Sequence, residues 1–204
     1  MRRAAREGWM TVDRRTFLGF AGGLLCCAPA VPALAQASSR VSAASFSFEK
    51  LDGGRISLGA YLGKPVLVVN TASRCGLAGQ LGDMAELWTR YHDRGLMIVA
   101  VPSNDFWQEP GDPAAIRQSG AAHGANYPFA AVQKVTGADA HPFYRWAARL
   151  EPQSTPSWNF HKYLVGADGG LAGSFSSRTS PTDPKIVAAI ERELASPAQA
   201  PAVR

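Results

Sequence analysis

Cysteine is scarce in this 204-residue chain: three are present, Cys26, Cys27 and Cys75. No two are spaced C-x-x-C, which argues against the internal dithiol of a thiol–disulfide oxidoreductase. Histidine is nearly as rare, with four in all. His123, His141 and His161 show no metal-ligand spacing with one another or with Cys75 and read as packing or surface groups, while His92 falls on a solvated helix face. Long apolar runs are missing too. The N-terminal run from Phe17 to Ala28 is 12 residues, short of the roughly 20 that span a bilayer as a helix. The formal charge is +5, but no basic cluster interleaved with aromatics accompanies it, so nucleic acid is not an expected partner. No internal repeat occurs, and the only biased segment is the Ala/Pro tail after Ser196.

The first 35 residues read as a targeting segment rather than as part of the fold. Asp13-Arg14-Arg15-Thr16-Phe17-Leu18 is a twin-arginine pattern, Pro29 and Pro32 interrupt the apolar run that follows, and Ala33-Leu34-Ala35 supplies the small residues a signal peptidase reads. Export in a folded state to the periplasm is therefore expected, with no stable membrane anchor. Residues 1–35 carry five arginines and two acids, a net +3, so +2 of the +5 stays with the remainder. Removing this segment also leaves Cys75 as the single thiol. A lone cysteine in an oxidising compartment is a candidate reactive group. The expected organisation is an export signal at 1–35, a flexible leader at 36–44, one domain at 45–196 and a disordered tail at 197–204.

Within the domain, Phe46 and Phe48 alternate with polar residues, Asp52-Gly53-Gly54 turns the chain, and Arg55–Leu58 alternates again, which predicts a β-hairpin. Val66–Asn70 is a continuous apolar strand suited to burial on both faces. Leu81, Met84, Leu87, Trp88 and Tyr91 recur at three- and four-residue steps, predicting an amphipathic helix over 77–94 that Gly95 ends, followed by a strand over 96–101. A Pro/Gly-rich loop spans 102–113. Short helices are predicted over 114–122 and 142–150, strands over 160–165 and 171–175 joined at Asp168-Gly169-Gly170, and a closing helix over 184–194. This order describes an α/β protein with a mixed central sheet flanked by helices. It is compatible with a thioredoxin-like fold carrying an N-terminal β-hairpin.

Cys75 falls where the strand should run into the helix. A helix N-terminus offers unpaired N–H groups and partial positive charge, which favour thiolate over thiol. A thiolate there can be oxidised and reduced, but alone it cannot close a disulfide within its chain. Thiol redox chemistry completed by an outside reductant is the expectation. In a peroxiredoxin the threonine and cysteine stand three positions apart, whereas Thr71 and Cys75 are four apart.

Four stretches, VNTASRCGL at 69–77, YHDRGLMIVAVPSND at 91–105, WQEPG at 107–111 and WNFHKYLVGADG at 158–169, with HPFYRW at 141–146 as a weaker fifth, resemble the glutathione peroxidases in family order. The similarity covers nearly all of 46–194. It implies a peroxidatic thiol at Cys75 held by Gln108, Trp158 and Asn159, with cysteine in place of the selenocysteine of some members. Such side chains could donate hydrogen bonds to a thiolate and to a departing oxygen. The resemblance further implies reduction of hydrogen peroxide or organic hydroperoxides through a sulfenic acid, with small-molecule hydroperoxide and thiol as partners, in an oxidative stress response. Neither metal nor cofactor is implied, and glutathione or another thiol serves as reducing co-substrate.

The chain departs from the family pattern in three places. Many cysteine-type members carry a resolving cysteine near the position of Gly120, and this chain has none, so an external thiol must finish the cycle. Trp107 replaces small residues at the expected pocket edge. The connection from Arg149 to Ser157 is brief, like that of forms lacking an oligomer-building loop, so a monomer is expected. The competing expectation is a peroxide sensor or redox-coupled binding protein whose Cys75 forms a mixed disulfide with a partner.

Overall fold

The structure, a computed structural model, describes residues 41–196. The expected export signal, most of the leader and the tail at 197–204 lie outside the described residues. The N-terminal hairpin pairs β1 (Ser47–Glu49) with β2 (Arg55–Ser57) in antiparallel register, Phe48 opposite Ile56. The main sheet contains β3 (Val66–Thr71), β4 (Met97–Pro102), β5 (Lys162–Val165) and β6 (Leu171–Phe175) in the order β4-β3-β5-β6. β3 and β4 run parallel, while β5 is antiparallel to both β3 and β6. The sheet is therefore mixed, and the likeness to a thioredoxin-type arrangement extends to the hairpin before it.

Alternation along β3 sorts the core into two layers, because successive strand residues face opposite sides. Val66 and Val68 join Phe48, Ile56, Phe143, Trp146 and Tyr163 on one face. Leu67 and Val69 join Leu81, Met84, Leu87, Ile186 and Ile190 on the other. Every residue of β3 and β4 is buried, which is why both read as unbroken apolar runs.

The described residues include four α-helices, α1 (Gln80–Tyr91), α2 (Pro113–Ala122), α3 (Pro142–Leu150) and α4 (Pro184–Ala195), of which α3 packs into the first layer and α1 and α4 into the second. The last three start with proline in the first turn, where a missing N–H costs nothing. Asp112 and Asp183 cap α2 and α4 by accepting from the N–H of Ala114 and Lys185. At the end of α1 a short 3-10 turn, His92–Arg94, leads to Gly95 at φ +114°, a conformation glycine adopts without strain.

Two elements start more than one residue away from the sequence-based expectation. α1 begins at Gln80 rather than 77, because residues 75–82 form overlapping tight turns. In these the N–H of Ala78, Gln80 and Leu81 bond carbonyls three residues back, at 2.9 Å each. β5 begins at Lys162 rather than 160, because Phe160 adopts φ +64° and kinks the chain ahead of the strand.

β3 and β4 run parallel and end on the same side of the sheet, and antiparallel β5 begins there. The loops after β3, after β4 and before β5 thus gather at one edge, the position where open α/β sheets place their ligands. The stretch after β6 returns to that edge as well.

Candidate active site

Cys75 sits in the loop after β3 and is 6% exposed. Its sulfur accepts the N–H of Leu77 at 3.4 Å, and its own N–H points to the Ala72 carbonyl at 3.4 Å. The polar contact to the sulfur is thus a turn amide, that of Leu77 three residues ahead of α1, rather than the first turn of the helix itself. The macrodipole expected to act on Cys75 is displaced accordingly, since that effect fades within the first turn. Arg74 is exposed and contributes its backbone: its N–H donates to the carbonyl of Gln108 at 3.0 Å. That bond ties the loop after β3 to the loop after β4.

Gln108 is joined to the third loop by its side chain. The Nδ2 of Asn159 donates to the Oε1 of Gln108 at 2.8 Å, across 51 positions of sequence. Asn159 is fully buried, and its Oδ1 has no partner among the described residues. Because the Oε1 of Gln108 is taken, the Nε2 hydrogens remain as the group's free donors. Trp158 is 40% exposed and packs on Phe106, ring centroids 5.7 Å apart. With Leu77, Ser157, Ser176, Ser177 and Arg178 it lines a cavity of about 540 Å³. The structure therefore gathers all four expected residues in adjoining loops at one sheet edge. Among the described residues, neither Gln108, Trp158 nor Asn159 hydrogen-bonds the sulfur directly.

Trp107 behaves otherwise than expected. It is 87% exposed at φ +57° and is not among the residues lining the cavity, and its neighbour Phe106 meets Trp158 instead. The tight turn accounts for this: the Trp107 N–H bonds the Asn104 carbonyl at 2.9 Å, which throws its side chain outward.

Three buried polar residues that the sequence reading did not single out hold these loops together. Asn70, at the end of β3, donates from Nδ2 to the Trp158 carbonyl at 3.1 Å and accepts the His161 N–H at its Oδ1 at 3.0 Å. Its carbonyl accepts the N–H of Phe160 at 2.6 Å, which fixes the kink that buries Asn159 while leaving Trp158 at the surface. Glu109, 1% exposed, accepts from the N–H of Ser73 at 2.8 Å, from the Ser73 hydroxyl at 3.1 Å and from the N–H of Gly111 at 3.3 Å. Lys162, fully buried on β5, has its ammonium pushed down to about 7 by loss of water, with Asp83 opposing the shift.

The histidines pack rather than gather. His141 caps α3 and stacks on Phe48, and burial lowers its pKa. His161 contacts the Ser174 hydroxyl at 2.9 Å, and burial foremost, then the Lys162 charge, lowers it to about 4. The position of Gly120 is tight for a larger residue, since a Cβ there would meet the Phe129 ring at 3.0 Å and the ring would have to shift by a few tenths of an ångström.

This geometry has close counterparts. The family model for glutathione peroxidase matches residues 44–148. The hydroperoxy fatty acid reductase Gpx2 of Synechocystis sp. is 35% identical over 150 residues, covering 72% of this chain and 96% of that protein. A glutathione peroxidase of Lactococcus lactis subsp. cremoris is 35% identical over 143 residues, 68% of this chain and 91% of its own. Among solved structures, Trgpx in its apo form superposes with a TM-score of 0.63 at 28% identity, over 78% of this chain and 99% of the other. Thioredoxin-family thiol:disulfide interchange proteins, such as one from Chlorobium tepidum at 19% identity and TM-score 0.58, share the fold alone. Motif order, sheet topology and sequence identity agree, and the chain belongs to the glutathione peroxidase family.

Proposed function

We propose that Cys75 is the peroxidatic nucleophile of a thiol-dependent peroxidase, with Gln108 and Trp158 as its oriented donors and Asn159 as the group that aims Gln108. The observation carrying this assignment is the Asn159–Gln108 hydrogen bond. It fixes the glutamine amide beside the loop of Cys75 and reserves its Nε2 hydrogens for an incoming partner. The Cys75 thiolate attacks one oxygen of the hydroperoxide, the O–O bond breaks, and the departing alkoxide takes a proton to leave as alcohol, or as water from hydrogen peroxide. The sulfur is left as sulfenic acid. A first external thiol condenses with it, releasing water and forming a mixed disulfide. A second displaces that disulfide and restores the thiolate.

Two observations support an external reductant. Cys75 is the free cysteine among the described residues, and glycine occupies position 120, where a resolving cysteine would stand and where an added Cβ would press on the Phe129 ring at 3.0 Å. Glutathione or another small thiol fits this cycle, which runs without metal or cofactor. The relative named as a hydroperoxy fatty acid reductase and the partly apolar cavity beside Trp158 support organic hydroperoxides as well as hydrogen peroxide as substrates. The twin-arginine segment supports work in the periplasm, and the short link from α3 to β5 supports a monomer. No helix among the described residues is long and apolar enough to cross a membrane.

Peroxide consumption with glutathione, with a thioredoxin system and with a simple dithiol tests the assignment. Wild type turns over with at least one of them, and Cys75→Ser with none. Full activity in Cys75→Ser would place the reacting group elsewhere.

A further inference from the structure

Lys162 is a buried cation whose hydrogen-bond partners are all neutral. It lies on β5, paired with Val69 of β3 and Phe175 of β6, and has no exposed surface. Its Nζ donates to the Oε1 of Gln80 at 2.5 Å, to the carbonyls of Ser176 and Ser177 at 3.3 Å each, and to the carbonyl of Thr179. The carboxylate whose charge acts on it, Asp83 on α1, accepts the hydroxyl of Ser180 at 2.7 Å and makes no ion pair with it. Burying an ion without a carboxylate is costly, so a neutral residue would serve strand packing better. What the ammonium alone can do is draw several carbonyl oxygens of one loop to a single point, as a bound metal cation would.

The loop it gathers borders the reactive centre. Ser177 Oγ donates to the Trp158 carbonyl at 3.2 Å, meeting there the bond from Asn70. Gln80 Nε2 donates to the Ser177 carbonyl at 2.8 Å, so the first residue of α1 joins the same knot. Ser176, Ser177 and Arg178 line the cavity together with Leu77 and Trp158. We propose that Lys162 is a positioning residue of this peroxidase: through the 176–179 loop and Ser177 it holds Trp158 and the cavity wall in register with the Cys75 loop. The proposal rests on the assignment of Cys75 and Trp158 above.

The test is single-turnover oxidation of the full chain by hydrogen peroxide, followed in a stopped-flow instrument by tryptophan fluorescence without added thiol. Cys75→Ser is run alongside, and a signal that survives in it overturns the site assignment independently of Lys162. Given a signal lost in Cys75→Ser, Lys162→Met slows oxidation roughly 10- to 100-fold at temperatures far below its melting transition, the range for misplacing one reacting group. Ser177→Ala slows it less, and Lys162→Met/Ser177→Ala is no slower than Lys162→Met, since both act through one route. The pH profile supplies a second readout. Asp83 on α1 and His161 just before β5 are the charged or titratable neighbours coupled to Lys162. As pH rises through about 7 the ammonium loses a proton and part of its grip. Wild-type oxidation therefore contains a component falling across that pH, and Lys162→Met lacks it. If Lys162→Met does not fold, Ser177→Ala and Gln80→Met carry the test, each slowing oxidation severalfold. Oxidation within twofold of wild type in the folded variants, or additive losses in the double variant, overturns the proposal.

Discussion

Truncating Asn159 should slow peroxide attack without touching the sulfur. Its Nδ2 bond to the Gln108 Oε1 is 2.8 Å long and made by a fully buried side chain. A neutral bond of this kind contributes about 1 kcal/mol net, and fixing a glutamine side chain costs up to roughly 2 kcal/mol of rotamer entropy. With the bond gone, Gln108 samples rotamers that aim Nε2 elsewhere. A loss of about 1.4 kcal/mol from the aimed population corresponds to a tenfold slower reaction. Gln108→Ala removes the donor outright, for which a factor on the order of 10²–10³ is usual. Three rates follow for single-turnover oxidation by hydrogen peroxide: about tenfold slower for Asn159→Ala, about a hundredfold or more for Gln108→Ala, and no further loss for the double variant. Urea unfolding of each variant separates lost stability from lost rate. A further tenfold loss on adding Asn159→Ala to Gln108→Ala would show that Asn159 acts on the sulfur or the peroxide itself, and the positioning argument would be wrong.

Other perturbations have outcomes fixed by the same contacts. Glu109→Ala strands the Ser73 and Gly111 donors and should lower stability by roughly 3 kcal/mol, with slower oxidation because the Gln108 loop loosens; an unchanged urea midpoint would refute it. His161 titrates at about 4 when folded against an ordinary 6.5. Its contribution is therefore full above pH 6.5 and is lost as pH falls towards 4, because the unfolded chain binds the proton first. Linkage puts that loss at up to about 3 kcal/mol. Urea midpoints at pH 7 and 4.5 should therefore move apart less in His161→Leu than in wild type, and equal spacing would refute the assignment. Gly120→Ala normally gains about 1 kcal/mol inside a helix, but here the new Cβ meets the Phe129 ring at 3.0 Å. Overpacking of roughly 1–3 kcal/mol outweighs the gain, and the variant should melt lower than wild type; a higher melting temperature would mean the ring yields freely.

The legible parts of this fold are those in which local pattern and final environment coincide. β3 and β4 read as continuous apolar runs because both faces are covered, and the hairpin reads as alternation because it has one buried face. The periodic residues of α1 start at Leu81, in agreement with the observed helix. The expected boundary extends that period back to Leu77, across Gly79, a poor helix former. The kink at Phe160 had no local sign, since a positive φ at a bulky residue is imposed by Asn70 from the neighbouring strand. The Asn159–Gln108 bond is equally invisible to periodicity. Only the order of the motifs along the chain pointed to those residues.

Lys162 shows what kind of signal local reading overlooks. A lysine among Phe160, Tyr163, Leu164 and Val165 breaks the apolar run of a strand that is buried throughout, which is a conflict between residue and environment. Such conflicts persist where another demand outweighs packing. In this protein that demand is geometric. Cys75 is held by turns rather than by a helix, so its neighbours must be fixed by bonds reaching across the sheet edge. Asn70 fixes the Trp158 backbone from β3, Glu109 ties the loop after β4 to Ser73, and Lys162 anchors the loop after β6. Glu109 joins two loops, and Asn70 and Lys162 each tie a loop to a strand. Together they give a sulfur in irregular chain the fixed surroundings that an oriented-donor mechanism requires.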